Sequence, residues 1–467
     1  MSYVPHARST HVRYVVMAFL CGLSFLTYFD RVCVIRASND IQHTLNIGDQ
    51  QMGLVFSAFW LAYALFDIPS GWMGDRFGTR STLTRIVLAW SLFTALSGAA
   101  AGLTSLLIYR FLFGAGEAGA YPNMARIQSR WLPIRSRGRA GGMLWLLARW
   151  GAAFSPLLFG TLLRGADAPT WRALLHRLHL PHAVADAPAW RMGFWFSGLM
   201  GLAWVALFLP FFRDDPADKR SVNEAELTLI RAGRPADDRD ADAGHGHVMN
   251  AGVWKALFMS PSLWGLAVLY LTGSFGYSFF VSWMPKYFEK VQGVSFEKSE
   301  WMNAGPQFCA GIACLLGGIL SDWLVRAIGR KRIGRAVFPI AGCTIAAAAM
   351  FGIRIVHTPH AAVALMCVAA AAYDFGQAAN WATIIDVGGR YAGTAAGFIN
   401  TVGNMGNALQ PVIGAAVFIH FGWGALFACY AGAYLVAGST WIIIDPTKTF
   451  YRDVRPTRSV GFPVITK

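Results

Sequence analysis

The stretch RSRGRAGGMLWLLARWGAAFSP at 135–156 recurs in outline as RYAGTAAGFINTVGNMGNALQP at 390–411. Set 255 positions apart, Arg135, Gly138, Ala140, Gly142, Gly151 and Pro156 coincide with Arg390, Gly393, Ala395, Gly397, Gly406 and Pro411. Each copy starts at a basic residue and continues for about 20 largely apolar positions, the length that crosses a hydrocarbon core of roughly 30 Å. A second match sets Gly71-x-x-x-Asp75 against Gly318-x-x-x-Asp322, each closing an apolar run and each followed by basic residues. Its offset of 247 differs from 255 by a margin that loop insertions absorb. Parallel repetition of membrane helices, with a site at the interface of the halves near the midplane, is a transporter architecture.

Composition agrees. The 467 residues are 55% hydrophobic and 14% charged, too little polar surface to cover a soluble globule of that size. Apolar windows fall at 14–37, 51–72, 82–101, 104–125, 139–162, 191–212, 260–285, 301–323, 335–356, 361–385, 392–418 and 423–444, numbered below as spans one to twelve. All should be helices, because in lipid only a helix or a closed barrel satisfies its own backbone. The expected fold is therefore all-α and integral to the membrane, with twelve spans in two pseudo-symmetric six-helix bundles. The bundles are placed at 1–212 and 256–445, joined by a charged linker at 213–255 and followed by a tail at 446–467. An Asn-x-x-Glu capping pattern within 222–231 predicts one short helix in the linker.

A net charge of +15 could indicate nucleic acid, but its placement does not. Arg126, Arg130, Arg135, Arg137 and Arg139 fill one short loop; Arg326, Arg330, Lys331, Arg332 and Arg335 fill another. The loops near 102–104 and 419–422 carry no Lys or Arg. This is the positive-inside asymmetry, and it puts both termini in the cytoplasm of a cell inner membrane. The bilayer, not nucleic acid, is the expected partner, and the protein is expected to be a monomer. Cys21, Cys33, Cys309, Cys314, Cys343, Cys367 and Cys429 all fall in spans without metal spacing and read as small core residues. His176, His179 and His182 could meet on one helical face, but no Cys or carboxylate completes a metal site. No cofactor is expected.

Charge inside the spans is the informative exception: Asp30, Arg31, Asp67, Arg110, Glu117, Arg149 and Asp374. Ionisable groups at membrane depth are costly and line water-filled paths or pair across them. Arg110 and Glu117 are seven apart, so both leave span four in the same direction. A guanidinium fork matches a carboxylate and stays charged, which makes Arg31 and Arg110 candidate anion clamps. Glu117, in a low-dielectric cleft, is a candidate proton carrier; alternatively it neutralises Arg110 structurally. Asp30 is either a second proton carrier or the partner that orients an arginine. Arg149 either enters the cavity, favouring a doubly charged anion, or pairs with Asp30 or Asp67.

In the second half amides replace charges. Asn400, Asn404 and Asn407 form one stripe of span eleven, with Gln410 behind. Gln377 and Asn380 on span ten are comparable hydrogen-bonding candidates, and Tyr277 and Trp283 on span seven could form an aromatic wall. Such amides face either the cavity or another helix.

The segment GWMGDRFGTR at 71–80 resembles the loop signature of the major facilitator superfamily. YFDR at 28–31, QMGLVFSAF at 51–59, Arg110-(x6)-EAGAYPN at 110–123, Trp131-Leu-Pro with RGRA at 137–140, and 400–411 are together similar to its anion:cation symporter family. That family includes bacterial galactonate, glucarate, hexuronate and phthalate carriers and animal vesicular glutamate and sialic-acid carriers. The resemblance implies that Asp30 and Glu117 form the protonation pair and that Tyr28, Arg31, Arg110 and Asn400 contact substrate. It further implies that Asp75 and Arg76, with Gly71, Arg80 and the repeat counterpart Asp322, hold helix ends in one conformation and release them in another. Asp67, Arg149 and Asp374 depart from the family pattern. The reading is proton-coupled import of a small organic anion, a sugar acid by resemblance, driven by the proton gradient and with no enzymatic step. An efflux carrier of the same fold and a transporter-like sensor are the alternatives.

Overall fold

The computed structural model describes residues 9–167, 177, 187–232, 251–294 and 296–451. The histidine triplet of the outer insert, the acidic run of the linker and most of the tail lie outside these residues. A helix stands at every expected window: Val12–Arg36, Asp49–Phe77, Thr79–Gly98, Leu103–Glu117 with Ala120–Trp131, Arg137–Asp167, Ala189–Phe211, Pro261–Ser282, Phe296–Ile328, Lys331–Gly352, Pro359–Gly388, and the run Ala392–Ser439. The last run is longer than any bilayer requires, and Gly422 at φ 78° divides it into spans eleven and twelve. The described residues contain no strand.

Polarity is distributed inside out. Asp67, Asp75 and Glu117 are fully buried, whereas Leu61, Leu199, Leu207 and Val412 are 59–72% exposed. Apolar side chains gain nothing by hiding from lipid, while charges are stable only where protein surrounds them. This is a multi-pass membrane protein.

Two seams join the halves, and they are equivalent. Span two packs on span eleven, and span eight packs on span five. A Cβ on Gly71 would collide with the Gly393 carbonyl, and one on Gly318 with the Gly138 carbonyl. Gly397 lies against the Asp67 backbone and Gly142 against Cys314 and Leu315. The glycines of the sequence repeat are therefore the places where helices touch backbone to backbone, and any side chain there would separate them.

The linker helix forms at Glu224–Arg231, with the Asn223 side chain accepting from Glu226 N. Glu226 is buried and turns back to cap span one, accepting from Val12 N at 3.3 Å and Arg13 N at 3.1 Å and pairing with Arg13 Nη1. An acidic group at a helix N-terminus satisfies orphan amides and complements the dipole.

Candidate functional site

Span four is broken where its charges are. The first helix ends at Glu117; Gly119 takes a left-handed φ of 85°, and the second helix starts at Ala120. Asp67 fills the break, its Oδ1 accepting from Gly119 N at 2.8 Å. The other oxygen of Asp67 accepts from Asn400 Nδ2 at 2.6 Å, with Tyr63 Oη 3.3 Å from the same amide. Asn400 is thus held by span two, on the opposite half.

Glu117 is the acceptor of Arg31 and not of Arg110. Arg31 Nε donates to Glu117 Oε1 at 2.7 Å, with Nη2 at the same distance. Its guanidinium sits among four rings, with centroids of Tyr28, Phe59, Trp60 and Tyr63 at 5.2, 5.5, 5.5 and 4.6 Å, a cation–π environment. Arg110 is 2% exposed and lies 4.4 Å from the Phe113 ring centroid. Its Nε and Nη1 have no hydrogen-bond partner, nor do Asp30 Oδ1 and Glu117 Oε2. Seven-residue spacing did put Arg110 and Glu117 on one side of a helix; it could not show that Arg31 would reach the carboxylate first.

Arg149 pairs with neither Asp30 nor Asp67, the two partners considered from sequence. Its Nε and Nη2 donate to the two oxygens of Asp374 on span ten, the second at 2.9 Å. The guanidinium also lies 3.9 Å from the Tyr277 ring centroid, and Tyr277 Oη donates to Gln307 Oε1. On span ten, Gln377 Nε2 donates to Tyr270 Oη at 3.0 Å and Asn380 Oδ1 accepts from Trp441 Nε1 at 3.2 Å, leaving Gln377 Oε1 and Asn380 Nδ2 without partners. Asn407 donates to Asn404 along span eleven, and Gln410 to Tyr430 Oη. Trp283 packs against Phe418 and Trp423.

At the end of the bundle that carries the basic loops, both repeat aspartates cap a helix of the other half. Asp75 accepts from Gly393 N at 3.3 Å, and from Thr394 N and Oγ1 at 2.7 and 2.6 Å, at the start of span eleven. Asp322 accepts from Gly138 N and Arg139 N at 3.1 and 2.7 Å at the start of span five. Each also meets an arginine: Arg126 at 2.6 Å for Asp75, Arg335 at 2.9 Å for Asp322. Arg137 pairs with Asp386 at 2.6 Å across the halves, and Trp381 Nε1 donates to Gln128. Above this layer Tyr121 stacks on Trp145, centroids 5.1 Å apart, and both meet Trp381 edge-on. Arg76 is exposed beside Trp72 and Phe77, and Arg80 donates to the Leu209 carbonyl, so neither touches Asp75. Arg126, Arg137 and Arg335 were visible only as loop charge. No spacing distinguishes them from Arg130 or Arg330, because their partners come from other helices.

The family model described as Major Facilitator Superfamily matches residues 20–411. A probable sulfoacetate transporter of Cupriavidus necator is 29% identical over 94% of this chain and 95% of its own. A probable galactarate/D-glucarate transporter of Bacillus subtilis is 28% identical over 96% and 95%, and a D-galactonate transporter of Escherichia coli 27% over 94% and 97%. Among solved structures, the proton:xylose symporter bound to 6-bromo-6-deoxy-D-glucose superposes with a TM-score of 0.68 at 14% identity, covering 93% of this chain and 96% of that one.

Proposed function

This chain belongs to the Major Facilitator Superfamily, and from that membership we propose that it is a proton-coupled symporter importing a small organic anion of the sugar-acid kind by alternating access. The observation that carries the reading is Arg110, a guanidinium 2% exposed with two nitrogens unpartnered. A buried cation without an acceptor is costly unless an anion completes it. The named substrates of the three relatives, sulfoacetate, galactarate or glucarate, and galactonate, support an anion of this size.

The geometry suggests how coupling works. With Glu117 ionised, Arg31 is occupied by it. A proton on Glu117 removes that charge, and Arg31 is free to join Arg110 in gripping a carboxylate. Asp30, whose Oδ1 lacks a partner, is the second candidate for the proton. Tyr28, Tyr277, Gln377, Asn380, Asn400 and Asn404 would offer rings and amides to hydroxyl groups. Residues 1–212 and 256–445 act as the two rocking bundles around the linker at 213–255. Asp75 and Asp322, with the close approaches at Gly71 and Gly318, hold the basic end shut in this conformation. That end faces the cytoplasm of the inner membrane, and the protein acts as a monomer.

Proteoliposomes containing an internal pH dye test the reading with labelled galactonate, galactarate and sulfoacetate. Substrate-dependent internal acidification with accumulation is expected. No uptake of any of them under either pH gradient would overturn it.

A further inference from the structure

The Arg149–Asp374 pair is not used by the coupling scheme above. It joins span five to span ten, one from each half, with Arg149 4% and Asp374 1% exposed. A run of aromatic contacts connects the pair to Arg31. Arg149 lies 5.5 Å from the Trp145 centroid; Trp145 stacks on Tyr121; Tyr121 meets Tyr28 edge-on at 6.4 Å; and Tyr28 faces Arg31 at 5.2 Å. Tyr28 is also within electrostatic reach of both Arg149 and Tyr277. Two guanidinium groups therefore stand within electrostatic reach of Tyr28, one from span one and one from span five.

We propose that Arg149 takes the second negative group of an organic dianion, a carboxylate or sulfonate, and that Asp374 takes up one additional proton when it does. The proposal rests on the anion-symport reading and names the substrate charge that reading leaves open. In the unloaded site Arg149 and Asp374 neutralise each other. A substrate oxyanion arriving at Arg149 would leave two anions on one buried cation, and burial makes the uncompensated charge unfavourable. Proton uptake restores neutrality: an O–H bond forms on a carboxylate oxygen of Asp374, the substrate oxyanion takes its place on the guanidinium, and the sum of charges stays at zero. On release the O–H bond breaks, the proton leaves to water, and the ion pair re-forms. The groups facing Asp374 agree with this. Arg149 comes from span five, Tyr270 and Tyr277 from span seven, Cys314 from span eight and Tyr434 from span twelve, with Tyr373 beside it. Arg149 is the cation among them, so nothing else in that group offsets a second anion.

The test uses the full-length protein in proteoliposomes, with proton-to-substrate ratios from reversal potentials for galactarate and sulfoacetate as dianions and galactonate as monoanion. Wild type is expected to move one more proton with a dianion than with galactonate. Asp374→Asn should lose that extra proton with dianions and leave the galactonate ratio unchanged. The paired change Arg149→Leu with Asp374→Leu keeps the site neutral and should raise KM for dianions at least tenfold while sparing galactonate. Ligand-induced Tm shifts on detergent-purified variants report binding where transport is lost, and dianion-selective loss of the shift is expected there. An unchanged proton ratio in Asp374→Asn, or an unchanged dianion KM in the double variant, would overturn the proposal. Wild type that carries galactonate alone would overturn it and leave the anion-symport reading standing; wild type that carries none of the three would sink both.

Discussion

Asp67 and Asn400 meet across the two halves, the Asn400 amide donating to one carboxylate oxygen at 2.6 Å while the other oxygen accepts from Gly119 N at the break in span four. One carboxylate therefore ties three helices at the level of the charged site.

Asp67→Ala should leave the buried Gly119 N–H without its acceptor and the part-buried Asn400 amide with only the longer contact to Tyr63 Oη at 3.3 Å. At about 1–3 kcal/mol for each unsatisfied group, thermal unfolding in detergent is expected to show a clear fall in Tm, and substrate affinity should fall with it. A variant as stable as wild type would mean that the bridge contributes nothing.

Glu117→Gln keeps a hydrogen-bonding side chain but removes the charge that holds Arg31. Counterflow exchange of labelled substrate should survive, because the neutral amide leaves Arg31 free for the anion as a protonated Glu117 would. Accumulation against a gradient should disappear. Continued concentrative uptake would remove Glu117 from the coupling scheme.

Arg110→Leu should abolish uptake and also stabilise the empty protein. Replacing a buried cation whose Nε and Nη1 make no hydrogen bond by a hydrocarbon removes a desolvation penalty larger than its attraction to Glu117 and Asp30, and a gain of roughly 1–3 kcal/mol is expected. Lower stability without substrate would show that Arg110 is a structural charge with a partner of its own.

Gly71→Ala and Gly318→Ala should each open the basic end, since the added methyl meets the carbonyl of Gly393 or Gly138 respectively. The readout is alkylation of a single cysteine placed by Gln128→Cys, a position fully buried beside Trp381, in a background where the seven native cysteines are replaced by serine or alanine. Labelling should rise severalfold in both backgrounds, and by similar amounts, because the seams are equivalent. A rise in one only would argue against symmetric closure.

Much of this was legible in the chain. Apolar runs located the helices, and the repeat identified Gly71, Gly138, Gly318 and Gly393 before their contacts were known. The break in span four was not: GAGEAG at 114–119 contains three glycines, and only the approach of Ser70 and Asp67 shows that Gly119 is the one in the left-handed conformation. The capping role of Asp75 and Asp322 was legible as position, but their arginines, Arg126 and Arg335, were hidden among loop charges that also set topology.

By itself the sequence determined the solvent, the helices, the twofold repeat and the set of polar residues buried in lipid, because those follow from composition and periodicity, which are local. Tertiary structure alone decided the pairings: Arg31 with Glu117, Arg149 with Asp374, Asp67 with Asn400, and Arg110 with no hydrogen-bonded acceptor at Nε or Nη1. These partners are 86, 225 and 333 positions apart, so helical spacing says which way a side chain leaves its helix and nothing about the charge it meets. In a low-dielectric interior that meeting decides whether a charge is neutralised within the protein or left for a ligand.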